Sequence, residues 1–329
     1  MNSLSTHIFQ LLHLDFIFIH SIMKVIKASL FVPLDFDHGG DQVPVQIGSV
    51  SMKKQKKIIS HRFLDRYTVL GAILLAVYGI IAIEVVFGII IRVVTSRTDL
   101  LPAGSVFGAL IVLAIHKRWF YPEFEGNLRG GRPGLGFRLG LFILIAWALV
   151  PVNMIRHPEN YAVPTLATLS IALMAGFAEE TAFRGLSLSY LMRQWKDEKK
   201  LLTALLFTSA LFGLVHLGNL FSGANVVLTL LQLISTFAAG LFLGAVYLRS
   251  GNLWPSIVLH TLHDIVSLLD VSSISGGVMT GNLRLVDLLD LLLSVILGGI
   301  GLWLIRPAKR GEILAVWREK WQPLPDTKM

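Results

Sequence analysis

The stretch GFAEETAFRG, Gly176 to Gly185, sets two carboxylates and a guanidinium, Glu179, Glu180 and Arg184, inside an otherwise apolar run. Two later apolar runs carry groups of the same kind: LFGLVHLGN holds His216, and WPSIVLHTLHDIVSLL holds His260, His263 and Asp264. A charged side chain at the centre of a bilayer costs roughly 2.5 to 3.5 kcal/mol, so such groups call for pairing, function or both. In a helix Glu180 and Arg184 are spaced i, i+4 and meet on one face, whereas Glu179 points about 100° away. One reading follows: Arg184 holds Glu180 ionised as a structural pair, and Glu179 is left as a carboxylate available for proton transfer. The alternative is that both glutamates pair with Arg184 in a packed helix. His260 and Asp264 also lie i, i+4 on one face, with His263 turned partly aside. A lone histidine reads as hydrogen-bonded packing, but ionisable groups at membrane depth in three separate runs imply a shared polar cavity.

The composition states what must position these groups. Of 329 residues, 54% are hydrophobic and 15% charged, and the mean hydropathy is +0.67, far above that of soluble domains. There is no cysteine, so disulfides, thiol nucleophiles and Cys-built metal centres are excluded. The formal charge of +8 is spread over segments between apolar runs, a pattern of membrane topology rather than of a nucleic-acid surface. The expected fold is all-α, a polytopic transmembrane helix bundle of about eight spans with the catalytic core on three to four central helices. The spans are expected near 68–94, 103–115, 136–154, 164–191, 201–220, 224–248, 253–269 and 285–305, the second being short. Alternate loops are basic: Arg62 and Arg66 precede the first span, Lys117, Arg118 and Arg129 follow the second, Arg193, Lys196 and Lys199 the fourth, Arg249 the sixth, and Arg306, Lys309 and Arg310 the eighth. This alternation predicts a multi-pass protein of the cell membrane with both termini cytoplasmic.

Four parts are expected: an amino-terminal extension (1–51), amino-terminal transmembrane helices (52–163), a catalytic core (164–270), and a last transmembrane helix with a basic cytoplasmic tail (271–329). The first part is apolar but interrupted by His13, Asp15, His20, Lys24 and Lys27, while MKKQKKII from Met52 has the look of a natural amino terminus with a positive flank. An interfacial amphipathic helix is the other reading of this segment.

Taken together, the three runs resemble the CPBP family of intramembrane proteases (CAAX prenyl protease and bacteriocin-processing, or Abi, proteins). Its motifs EExxxR, FxxxH and HxxxN/D stand here as Glu179-Glu180-Thr-Ala-Phe-Arg184, Phe212-Gly-Leu-Val-His216 and His260-Thr-Leu-His-Asp264. The resemblance covers about residues 164 to 270. It implies that Glu179 and His216 polarise a water that attacks a peptide carbonyl, with His260 and Asp264 near the developing oxyanion. Asp264 is a departure, since members acting on prenylated proteins have Asn at that place. The substrate implied is a protein or peptide in or at the bilayer. No cofactor is required in this reading; a second one places Zn²⁺ on Glu179, His216 and His260, where it would acidify its water.

Other polar groups have plainer readings. Glu84 in the first span either lines the cavity or is hydrogen-bonded between helices. Asp287 and Asp290 fall at the outer end of the last span, and Gly240 with Gly244 forms a small-xxx-small packing pattern. Two rival functions remain, a proton-coupled transporter, which would show repeated halves with paired helix interruptions, and a catalytically silent scaffold. A chain beginning at Met52 is expected to insert in the same orientation and stay active. Labelling of single introduced cysteines checks this, and loss of stable protein would make residues 1–51 part of the fold.

Overall fold

The computed structural model describes residues 62–95, 101–270, 274–275, 278–279 and 281–321. The expected extension, residues 1–51, and the basic run after Met52 lie outside the described residues. The described chain is almost wholly helical, with one antiparallel hairpin in which Ile274–Ser275 pairs with Val278–Met279.

Nine helices matter for the site: α1 (Thr68–Ile80), α2 (Leu101–Ile115), α3 (Pro133–Gly140), α4 (Leu166–Glu179), α5 (Glu198–Val215), α6 (Val226–Ser250), α7 (Trp254–Ser267), α8 (Leu285–Leu304) and α9 (Pro307–Lys320). Several run on beyond their α-helical part. α1 passes through a π stretch, Ile81–Val86, and α4 continues through a longer one, Glu180–Leu188. Their ends follow from local chemistry. The Thr165 hydroxyl accepts from Thr168 N at 3.1 Å to start α4, Asn225 Oδ1 accepts from Val227 N at 2.9 Å to start α6, and Pro255 sits in the first turn of α7, where its missing N–H leaves no bond unmade. Gly251, at φ 63°, ends α6 in the left-handed region that other residues enter only with strain.

Among the described residues six helices are long and apolar enough to cross a membrane: Thr68–Ile91, Leu101–Phe120, Pro133–Arg156, Glu198–Ser222, Val226–Ser250 and Leu285–Leu304. The expected second span, short in the sequence, is lengthened by its π turn through Phe120. The other two expected spans bear most of the ionisable groups, with His216 on the α5 span and Glu84 on the first. α4 with its continuation carries Glu179, Glu180 and Arg184, and α7 has 14 residues, about 21 Å, short of the ~30 Å hydrocarbon core. Large apolar side chains such as Phe107, Leu141 and Ile155 stay exposed on the outside of the bundle, as lipid contact requires.

Small residues let these helices approach. A Cβ on Gly240 would stand 3.0 Å from Ser209 Cβ, and one on Gly301 would stand 2.7 Å from the Leu241 carbonyl oxygen, so α6 lies close against α5 on one side and α8 on the other. The expectation that Gly240 and Gly244 serve packing agrees with this. α7 is pinned at both ends. Leu253 N donates to Asn127 O at 2.9 Å and Trp254 N to Asn252 Oδ1 at 3.0 Å, while beyond its last turn Ala162 N donates to Leu269 O at 3.0 Å. The loop carrying Asn127 is itself braced by α9: Lys320 Nζ reaches Glu125 Oε2 at 3.1 Å and Arg129 O at 3.0 Å, and Trp317 Nε1 reaches Leu248 O at 3.1 Å. Burial pushes the Lys320 ammonium below its usual range, and Glu125 pulls it back up. At the other end Arg284 binds Asp270 at 2.9 Å and Asp287 at 2.7 Å, so Asp287 is an ion-pair partner.

Two neighbouring glycines of α8 test the packing. Gly299 faces open space and Gly301 faces the Leu241 backbone. Gly299→Ala is expected to leave thermal unfolding in detergent unchanged or to stabilise by about 0.5–1 kcal/mol through helix propensity. Gly301→Ala is expected to lower the unfolding temperature, because backbone cannot move aside as a side chain can.

Candidate active site

The helix bearing the two glutamates changes its winding between them. Glu179 is the last residue of α4 and Glu180 the first of the π stretch, and π turns inside helices are frequent at functional sites. The Glu180–Arg184 pair forms as the spacing predicts, Arg184 Nη1 standing 2.8 Å from Glu180 Oε1 with side chains 2% and 0% exposed. Arg184 also lies over the Phe212 ring, 4.4 Å from its centroid, and its other terminal nitrogen is 3.5 Å from Gly240 O.

One contact was not legible in the spacing. His260 Nδ1 lies 2.8 Å from Glu180 Oε1, so Nδ1–H donates to the same oxygen that receives Arg184. That bond fixes the ring and turns Nε2 the other way, where it faces Glu179 Oε2 at 3.7 Å and Asp264 Oδ1 at 3.6 Å. Both distances are those of ion pairs rather than of hydrogen bonds. His260 is therefore a hub between a buried carboxylate behind it and two more open ones in front: the Glu179 and Asp264 side chains are 21% and 26% exposed.

α7 can present His260 in this way because Gly176 lets it come close, a Cβ there falling 2.2 Å from Thr261 Oγ1. His263, on the same helix, accepts at Nδ1 from Trp147 Nε1 at 3.0 Å, which occupies it structurally and agrees with its being turned aside. On α5, His216 Nδ1 donates to Phe212 O at 2.9 Å, which leaves Nε2 as the acceptor nitrogen. Phe212 joins the parts: its ring meets His216, His260 and Phe183 edge-on, with centroids 5.2, 5.7 and 5.3 Å apart. The structure thus brings Glu179, Glu180, Arg184, His260 and Asp264 together from two helices, and the Phe212 ring lies between His260 and His216. Phe183 and Trp147 are additions to the candidate set; neither carries a titratable group that would have drawn attention in the sequence.

The alternative zinc set was Glu179, His216 and His260. Among the described residues no three or more His, Asp or Glu are arranged to hold a metal ion. The residues as placed do not form that site.

Residues 161–266 match the family model described as Type II CAAX prenyl endopeptidase Rce1-like, a segment that contains Glu179, Glu180, Arg184, His216, His260 and Asp264. The match supports membership of the CPBP/CAAX protease family, and with it an integral membrane endopeptidase, a hydrolase acting on a protein or peptide at the membrane. It does not favour the transporter alternative. No curated protein and no solved structure matches the chain.

The buried network makes a stability prediction. Arg184→Ala leaves Glu180 with only the imidazole, and Glu180→Gln leaves Arg184 without its carboxylate. Each is expected to cost about 3–5 kcal/mol and to reduce folded yield. His216→Ala, on the half-buried rim, is expected to accumulate normally. Fluorescence-detected size exclusion of the variants checks both.

Proposed function

We propose that the protein is an intramembrane endopeptidase that hydrolyses a peptide bond of a membrane-associated protein or peptide with water activated by Glu179 and His216. The observation that carries this reading is the unequal treatment of two adjacent carboxylates. Glu180 is sealed and neutralised by Arg184 and His260, whereas Glu179 is partly open and held by nothing shorter than the 3.7 Å approach to His260. A carboxylate kept for structure has its charge matched; one kept for proton transfer is left with capacity to accept.

The steps follow from that division. Glu179 takes one proton from a water, oriented by the acceptor nitrogen of His216, and the water oxygen bonds to the peptide carbonyl carbon. The carbonyl oxygen gains the electron pair. A proton on His260 Nε2, kept facing the site by the Nδ1 bond to Glu180, stabilises that oxyanion. When the carbonyl reforms, the C–N bond breaks, and Glu179 returns its proton to the leaving amine, giving a carboxylate and an amine as products. Asp264 supplies negative charge beside Nε2 and favours its protonation, a task that the amide usual at this place cannot perform. No step requires a cofactor, and lipid is the only other partner; nucleic acid has no part in it.

Placement in the plasma membrane and cytoplasmic termini complete the reading, supported by the basic loops; six of the eight expected crossings are helices long and apolar enough to span.

Glu179→Gln is expected to lower activity by about 10²–10⁴-fold while the protein still inserts and accumulates. Terminal proteomics of cells carrying the native or Glu179→Gln form should show membrane-protein termini that depend on the carboxylate, and a farnesylated CAAX-type peptide in detergent gives the direct assay. A mild Glu179→Gln with an inactive, normally abundant Glu180→Gln would reverse the two assignments.

A further inference from the structure

A cavity lies away from the catalytic groups, at the end of the bundle where the basic segments gather. Its volume is about 200 Å³, and it is lined by Met192 and Lys196 on one side and by Leu314, Trp317, Arg318 and Trp321 on the other. The first wall belongs to the segment that joins the helical continuation of α4, which ends at Gln194, to the apolar helix that begins at Glu198. The second wall is α9 and the residue after it. α9 follows the last apolar helix, Leu285–Leu304, and crosses the end of α6, where Trp317 Nε1 reaches Leu248 O shortly before α6 stops at Ser250. Both walls therefore stand where the helices leave the hydrocarbon, at the depth of lipid headgroups.

The charge on these walls is unbalanced. Lys196 and Arg318 are the charged residues that line the cavity, and both are exposed. Among the described residues neither side chain has an ion pair or a hydrogen bond. Neighbouring cations are matched: Arg193 by Asp65 and Glu123 at 2.9 and 3.3 Å, Lys320 by Glu125 at 3.1 Å, and Arg132, Arg249 and Lys309 by Glu312. The carboxylates next in sequence do not fill the gap. Asp197 Oδ1 accepts from Lys199 N at 2.8 Å as the cap of α5, and Glu319 projects about 100° around α9 from Arg318. Trp321 is stacked on Phe124 with centroids 4.1 Å apart, and its indole N–H is buried without a hydrogen-bond partner. The cavity thus combines two unmatched cations with the apolar surface of Met192, Leu314 and Trp317, and no carboxylate lines it.

We propose that this cavity holds the phosphate group of an anionic membrane phospholipid. Lys196 and Arg318 pair with the phosphate oxygens, while Met192, Leu314 and Trp317 meet the glycerol and the first methylenes of the chains. The depth of the site and its apolar wall favour a lipid over a soluble phosphate, which would leave that wall unused. The bound lipid acts through α9. By way of Lys320 this helix braces the Asn127 loop, which in turn holds the start of α7, so a lipid that binds only the folded protein stabilises the support of the bundle's interior. Binding here does not depend on the protease chemistry.

Thermal unfolding of the purified full-length chain in mixed detergent–lipid micelles tests this. Phosphatidylglycerol is expected to raise the unfolding temperature of the native protein saturably, and phosphatidylcholine at the same concentration to leave it unchanged. In Lys196→Gln/Arg318→Gln the phosphatidylglycerol concentration that gives half the shift is expected to rise about tenfold or more, with each single variant showing part of that rise. Both side chains are exposed, so the variants are expected to accumulate as the native protein does. Lys199→Gln/Lys200→Gln removes the same charge from exposed positions that do not line the cavity, and is expected to keep the native response. Equal shifts of the native protein by the two lipids overturn the proposal without recourse to any variant. An equal loss in the two double variants also overturns it, since that is diffuse attraction to a basic surface. If inorganic phosphate alone reproduces the native shift, the site takes a soluble anion and the lipid assignment falls.

Discussion

The oxygen Oε1 of Glu180 is the point on which the site depends. It receives Arg184 and His260, each at 2.8 Å, in a place that water does not reach. A carboxylate with no exposure is costly unless its charge is matched, and matching it here requires a cation from its own helix and a donor from another. The arrangement therefore does two things with one group. It makes the π-wound helix tolerable at membrane depth, and it clamps α4 to α7 with the imidazole in a single orientation. Without the clamp, Nε2 of His260 would have no fixed direction in which to face Glu179 and Asp264.

The rest of the bundle can be read as support for that clamp. α7 is short for a membrane helix and would slide if its ends were free. Backbone bonds hold it instead, to the Asn127 loop at one end and to Ala162 at the other, and the loop is braced by α9 through Lys320. Phe212 fills the remaining side. Its ring accepts the Arg184 guanidinium on its face and two imidazoles at its edges, so the aromatic that the motif places four residues before His216 packs against the charged network rather than merely against lipid-facing neighbours.

Sequence reasoning reached the parts of this that obey helix periodicity or cost. The charges in apolar runs marked the candidate residues, the i, i+4 spacing found the Glu180–Arg184 pair, and hydropathy found the apolar helices. The His260–Glu180 bond escaped it, because contacts between residues eighty positions apart leave no trace in spacing. So did the π stretches at Ile81–Val86 and Glu180–Leu188, which no composition signal announces and which shift every later residue around the helix axis. The number of crossings was legible only up to the two helices whose length or charge departs from a membrane span, and those departures are the chemistry itself.

That coincidence has a physical cause. A helix wholly adapted to lipid satisfies its backbone internally and presents apolar side chains outward, which leaves nothing to bind or activate water. A hydrolytic site in a membrane must gather polar groups, and each one weakens the helix that carries it as a span. Here the loss falls mainly on α4 and α7, while six other helices among the described residues, the α5 span that bears His216 included, still meet the lipid requirement by length and composition. Glycines at the closest crossings then let backbone approach backbone, as at Gly176 against Thr261 and Gly79 against Ala182. Dispersion between tightly packed helices replaces the hydrophobic force that a bilayer cannot provide. The polar interior and the small-residue contacts are two parts of one solution: the helices that bear charge are held by packing because lipid would not hold them.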